Sequence, residues 1–302
     1  VTGRQLPAEN LLLGSALMLG GMVLLPLMDG LAKLLSETYP VLQVVWARYL
    51  FHLLVLLPLL LRRYRPAELV PDSAGLQLLR GALLLTGTAL FFGALAVMPQ
   101  STVLAIFFIS PLVVTLLAPL LLGEQAGGWR IAAVLAGLGG VLLILRPGGG
   151  VPVSGALLAG GAGLVHGFYM IFTRRLSGSA PSLVTLGYTA VVGAVAMSVL
   201  MPFIWVAPAW GDLLIMVLLG VFAAGGHYLL IRAFDHAPAT FLAPLGYAEM
   251  VTAILIGWFA YGQLPDLPSW LGIAVIITAG VAVSIWEGRL ERRGTLDAFP
   301  PD

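Results

Sequence analysis

The chain has 302 residues, 60% of them hydrophobic and only 10% charged, with a mean hydropathy of +1.01 and a net charge of +1. A soluble domain carries about 25% charged residues, so most of this surface does not face water. The near-neutral balance excludes a nucleic-acid footprint. The absence of cysteine excludes disulfides, thiolate metal sites and cysteine nucleophiles.

Apolar runs of about 20 residues suit helices that cross the hydrocarbon core. A lipid-exposed strand could not satisfy its backbone there. Ten such spans are predicted, over 10–35, 40–61, 74–97, 101–122, 128–146, 153–175, 181–203, 211–235, 240–261 and 269–287. Pro, Gly and charge separate them, at Tyr39-Pro40, Arg62 to Pro71, Pro99, Gly123 to Gly128, Arg146 to Pro152, Ser177 to Pro181, Pro208, Pro238 and Gly262 to Pro268. Most connections are short, so no separate soluble domain is expected. The first run is too long for a cleavable signal peptide. Residues 289–302 read as a polar, frayed cytoplasmic tail.

The second half repeats the first. An offset of 139 aligns Gly81 with Gly220, Gly87 with Gly226, Ala94 with Ala233, Pro99 with Pro238 and Gly123 with Gly262. Two residues later in register, Trp129 aligns with Trp270 and Gly139 with Gly280. The weight comes from prolines and glycines that fall at the same span boundaries in both halves. The predicted units are 1–147 and 151–288, each a five-span repeat. An odd number of spans makes the copies cross the membrane in opposite directions. The expected class is therefore an all-α integral membrane protein of ten helices in two inverted repeats, an arrangement typical of secondary transporters.

The segment Leu120 to Ile144, LLLGEQAGGWRIAAVLAGLGGVLLI, resembles the fourth-to-fifth-helix signature of the EamA family in the drug/metabolite transporter superfamily. Val44 to Arg63, VVWARYLFHLLVLLPLLLRR, is similar to its second helix. The likeness covers 11–146 and 152–287. Two positions depart from it: Met250 stands where a Pro often follows the Glu, and Gln263 replaces the Glu after Gly. The resemblance implies ten helices, cytoplasmic termini and a central cavity lined by helices 1, 3, 4, 6, 8 and 9. Bacterial members move small metabolites, often exporting them. The nearest likeness within the family is to YddG-type amino-acid exporters. It implies an inner-membrane monomer whose partners are the lipid bilayer and a small molecule, with no nucleic acid.

An ionised side chain at a helix centre costs about 2.5–3.5 kcal/mol, so each one needs a reason. Glu249, in GYAEM, falls mid-span and suits a substrate ammonium or a proton; a packing carboxyl is the alternative. His166 and His227 fall mid-span on expected cavity helices, and histidine titrates near neutral pH. A neutral core histidine is the alternative for each. Tyr169 and Tyr247 carry hydroxyls that need buried partners. With Phe91 and Phe107 they complete the predicted substrate site. Asp29 and Lys33 stand at i and i+4, and Arg48 reaches a similar depth. They read as a self-neutralising ion cluster or an extracellular gate. Arg80 is expected to snorkel to headgroups, and His52 to be peripheral. Pro26, Pro99, Pro111 and Pro238 are candidate hinges. The histidines lack ligand spacing within any helix, so no metal is expected, and no cofactor is implied.

A pump driven by ATP is excluded, because Lys33, in LAKLLS, is the one lysine and no Walker motif exists. An intramembrane enzyme would need paired carboxylates, a nucleophile elbow or a zinc motif, and none is present. A channel is disfavoured because rings of like charge are absent. The leading reading is an amino-acid exporter working by alternating access. The alternative is a carrier, in either direction, of another small metabolite, vitamin, nucleoside-like cofactor or cationic drug.

With the N-terminus inside, the inner segments hold eleven basic residues: Arg4, Arg62, Arg63, Arg65, Arg130, Arg174, Arg175, Arg232, Arg289, Arg292 and Arg293. The outer segments hold Lys33 and Arg146. By the positive-inside rule both termini are cytoplasmic. A single cysteine introduced at Tyr64 or Leu176 should react with a membrane-impermeant maleimide only after the cytoplasmic side is opened. Strong labelling of intact cells would overturn this orientation.

Overall fold

The computed structural model describes residues 10–71, 73–122, 128–146, 150–176, 179–234, 236–237 and 242–297. All regular structure among them is helical. The helices are α1 (Leu11–Leu35), α2 (Val41–Arg63), α3 (Ala74–Leu95), α4 (Gln100–Phe107), α5 (Ile109–Leu122), α6 (Gly128–Ile144), α7 (Val153–Arg175), α8 (Ser182–Ile204), α9 (Trp210–Phe234), α10 (Ala248–Tyr261) and α11 (Leu267–Asp297). Short 3₁₀ turns cover Pro66–Leu69 and Ala243–Tyr247. Six described helices are long and apolar enough to cross a membrane, and four shorter apolar stretches accompany them.

The boundaries follow the proline and glycine signals. Pro40, Pro99 and Pro181 each stand immediately before a helix. There the missing N–H costs nothing, because the first N–H groups of a helix have no internal partner. Pro99 is thus a boundary, Pro26 lies inside α1, and Pro111 lies in the first turn of α5. Pro238 lies outside the described residues. Gly262 closes α10 with a left-handed φ of 62°, a conformation that suits glycine.

Two expectations of helix extent change. The spans read as continuous over 101–122 and 240–261 are each interrupted, at Phe108 and at Tyr247. The tail expected to fray from Gly288 onward stays helical to Asp297. Its Glu, Leu and Arg are good helix formers, and no proline follows Pro268 until Pro300.

Much of the packing joins one half of the chain to the other. α1 packs on α9 and α10, α3 on α7 and α8, α2 on α8 and α9, and α6 on α11. Close approach relies on glycine. A Cβ on Gly140 would stand 2.7 Å from the Gly272 carbonyl and 2.8 Å from Ile276 Cγ1. On the same helix, a Cβ on Gly139 would meet nothing within 4 Å.

Polar links lace both ends of the bundle. Where α1 stops, Tyr39 Oη donates to Asp212 at 2.7 Å. The Gln43 amide bonds the Val206 carbonyl and N–H at 2.7 and 2.9 Å. Arg146 pairs with Asp266, between α10 and α11; hydrogen bonds from Ser269 and Arg146 hold that carboxyl down to about 2.

At the other end, Arg80 does not snorkel. It is 5% exposed, and its partners among the described residues are all neutral. Its Nε donates to Thr173 Oγ1 at 2.8 Å, and its Nη1 to the Thr185 carbonyl at 3.2 Å and Thr189 Oγ1 at 3.0 Å. Its Nη2 donates to Tyr169 Oη at 2.7 Å. One guanidinium therefore ties α3 to α7 and α8. The physical reason is supply: four acceptors converge here, and together they replace the headgroup water that snorkelling would reach.

Two stability tests follow from this packing. Gly140→Val should cost about 1–3 kcal/mol through overpacking, seen as a lower melting temperature in detergent, while Gly139→Val should leave it unchanged. Arg80→Leu strips donors from bonds that, to a charged group, are each worth about 1.5–3 kcal/mol. It should destabilise far more than Arg62→Leu, at an exposed arginine. Equal losses for the two arginines would mean that the Arg80 bonds contribute nothing.

Candidate functional site

The site forms around the two helix interruptions. Phe108 separates α4 from α5, and Tyr247 is the last residue of the 3₁₀ turn that leads into α10. These residues are related by the 139-residue offset of the repeat. Their rings also touch, with centroids 5.4 Å apart and planes at 59°.

A row of rings runs from this point. Phe91 on α3 meets Phe107 edge-on at 5.0 Å. Phe107 lies 4.8 Å from the His166 ring on α7, which lies 5.3 Å from Tyr169. Ser110, in the first turn of α5, holds His166 Nδ1 at 2.9 Å. Helical spacing explains the row, since His166 and Tyr169 are i and i+3 and so share one face of α7. The structure thus brings together Phe91, Phe107, His166 and Tyr169. Tyr247 joins them through Phe108, which sequence reasoning left out of the site.

His227 stands elsewhere. Its Nδ1 is 2.8 Å from the Ala223 carbonyl and so carries the proton, leaving Nε2 as an acceptor. Its ring faces His52 at 6.0 Å. His52 is not peripheral: it is buried, and neither ring nitrogen has a partner among the described residues. It lies at the crossing of α2 and α9, where a Cβ on Gly220 would stand 2.7 Å from the His52 backbone nitrogen. A short polar side chain on an otherwise apolar span was the signal.

The charged residues of α1 and α2 are rearranged relative to expectation. Lys33 does not bond Asp29. Its Nζ donates to the Leu95 and Met98 carbonyls, both at 2.8 Å. Those carbonyls belong to the last residue of α3 and to the turn that follows it, where a helix end lacks internal donors and its dipole favours a cation. An i,i+4 pair on one helix is worth only about 0.2–0.5 kcal/mol, so the carbonyls win. Asp29 is 5% exposed, with no hydrogen bond or ion pair among the described residues. Arg48 donates from Nε to the Met28 sulfur at 3.4 Å and lies 4.5 Å over the Tyr49 ring. Its Nη1 is buried without a partner. Glu249 occupies the first turn of α10, also unpartnered among the described residues, and lies within electrostatic reach of Asp29. Among the described residues no three of His, Asp and Glu converge as metal ligands.

Comparison with known proteins adds to this geometry. A riboflavin transporter of Vibrio cholerae serotype O1 is 28% identical over 256 residues, covering 83% of this chain and 85% of that protein. An S-adenosylmethionine uptake transporter of Rickettsia bellii is 26% identical over 251 residues, covering 83% and 86%. A solved crystal structure superposes with a TM-score of 0.64 over 93% of this chain and 98% of its own, at 20% identity, which shows a shared fold. The model of the EamA-like transporter family matches twice, over residues 12–146 and 153–286. With both halves matched, the chain belongs to the EamA-like transporter family.

Proposed function

We propose that this chain is a secondary transporter that takes up a small heteroaromatic metabolite, of the vitamin or nucleoside-like kind, across the bacterial plasma membrane. Its helices make ten spans in two inverted repeats, α4 with α5 forming the fourth and the 3₁₀ turn with α10 the ninth. Both termini are cytoplasmic. The substrate binds at the interruptions of these two spans, and alternating access carries it across.

The observation that carries this reading is the row Phe91, Phe107, His166 and Tyr169 beside the interrupted helices. Such a row offers flat faces to a planar ring, and each aromatic contact adds about 0.5–1.5 kcal/mol beyond area burial. Histidine and tyrosine supply polar atoms at its inner end. The names of the relatives agree. Riboflavin and S-adenosylmethionine share no skeleton but both carry a fused nitrogen heterocycle. They favour the vitamin or nucleoside-like alternative over amino-acid export, and "uptake" in the Rickettsia name favours import.

Reconstituted protein should move labelled riboflavin or S-adenosylmethionine into proteoliposomes faster than empty liposomes do. Phe107→Ala should cut that rate about tenfold, equivalent to about 1.4 kcal/mol, with an unchanged size-exclusion profile. Glu249→Gln should also lower it if the carboxylate binds a cation or carries a proton. Transport of neither compound, or full activity in Phe107→Ala, would refute the reading.

A further inference from the structure

The charges on α1 and α2 do not neutralise one another by contact. Lys33 is spent on the α3 carbonyls. Arg48 Nε reaches the sulfur of Met28, the chain neighbour of Asp29, at 3.4 Å, yet Asp29 and Arg48 form no ion pair among the described residues. Arg48 is 3% exposed, and its described partners are the Met28 thioether and Tyr49, through its ring face and its hydroxyl, none of them a carboxylate. Its Nη1 has no partner. Charges held apart in a low-dielectric interior bear the desolvation cost without the bond that would offset it. A folded chain that leaves such a gap has acceptor and donor positions to offer to something else.

Helix positions put this gap at the depth of the aromatic row. Lys33 ties the end of α1 to the end of α3, so these ends share one side of the bundle. Asp29 lies six residues before the end of α1, and Arg48 seven after the start of α2. Phe91 lies four residues before the end of α3, and Phe107 seven after the start of α4. At 1.5 Å per residue all four sit about 6–11 Å from the same end. Glu249 lies deeper, in the first turn of the helix that packs against α1. The array is therefore two carboxylates against one guanidinium, level with the phenylalanine end of the row.

We infer that Asp29 and Arg48, backed by Glu249, form the receptor for a zwitterionic head group, one carbon bearing both an ammonium and a carboxylate. The ammonium replaces the missing partner of Asp29. The carboxylate accepts from Arg48, whose planar fork suits bidentate binding of a carboxylate. The heteroaromatic body lies along Phe91 and Phe107. Placement of that body rests on the function proposed above, whereas the head-group assignment rests on the separated charges. Asp29 and Arg48 are thus specificity residues rather than a closed structural cluster.

The test uses two ligands that differ by the head group and one methylene, with phenylalanine and riboflavin as head-only and ring-only probes. Purified protein should bind S-adenosylhomocysteine at least tenfold tighter than 5′-methylthioadenosine by calorimetry. Asp29→Asn and Arg48→Gln should each reduce that ratio below about threefold, by weakening the first ligand only. Unchanged methylthioadenosine binding shows that the variants are folded; if Arg48→Gln loses it, Arg48→Lys takes its place. A wild type that binds both nucleosides equally, a preference that survives in the variants, or binding of riboflavin alone overturns the inference. So does failure of every zwitterion to bind. If phenylalanine binds in an Asp29- and Arg48-dependent way and the nucleosides do not, the head-group receptor stands and the heteroaromatic reading falls.

Discussion

A helix that stops inside a membrane leaves carbonyls on one side and N–H groups on the other, with no water to take them. This chain breaks a helix in that way at Phe108, and it starts another from a 3₁₀ turn, Ala243–Tyr247, that passes directly into α10. The cost is kept small because the interruption is short: the Phe108 N–H still reaches the Leu104 carbonyl at 3.0 Å. The gain is a pair of fresh helix N-termini close to the middle of the bundle. Each presents its second residue to the site, Ser110 on α5 and Glu249 on α10. A helix N-terminus favours negative charge, so the carboxylate of Glu249 occupies a position suited to it. Its counterpart Ser110 carries no charge and instead orients His166. One backbone device, used in both halves, thus supports two different kinds of polar group.

The second constraint is that buried cations must find acceptors. Lys33 uses helix-end carbonyls, and Arg80 uses hydroxyls and a carbonyl. Neither is neutralised by a carboxylate, so both leave positive charge in the interior. Asp29 and Glu249 stay without bonded partners among the described residues. The interior is therefore polarised rather than internally paired. A fully paired core would be more stable, but it would present no unmet groups to a ligand. Tolerating separated charges makes sense only where a polar solute or ordered water visits.

Much of the architecture was legible in the sequence. Hydropathy found most of the helices to within a few residues, because an apolar helix advertises itself locally. Proline and glycine marked the boundaries for the same reason. Partner choice was not legible. Lys33 and Asp29 have ideal local spacing, yet Lys33 bonds carbonyls 62 and 65 residues away. Arg80 looked like an end-of-helix arginine, and its acceptors lie 89 to 109 residues along the chain. His52 looked peripheral on its own helix and was buried by a glycine contact from α9. Proline signals stood beside both interruptions, since Pro111, a candidate hinge, lies three residues after Phe108 and the 3₁₀ turn holds Pro244, but the sequence did not say at which residue the helix would change. Within the site, residue types and depths could be read, but which rings met could not.

The two halves also differ where they correspond. A Cβ at Gly280 would collide with the Tyr247 hydroxyl, so that phenol fills the notch over α11. The corresponding Gly139 has open space above it, and the corresponding ring, Phe108, lacks the hydroxyl. The bundle is therefore not two identical copies in contact. On the proposed alternating-access reading the halves must differ in conformation at any moment, whatever their sequences. Two halves in the same conformation facing opposite ways would close or open both sides together. A carrier must instead hold one half in one conformation while the other holds its alternative. The contact between Phe108 and Tyr247 places that difference where the interrupted spans meet, beside the aromatic row and the unpaired charges that a substrate would engage.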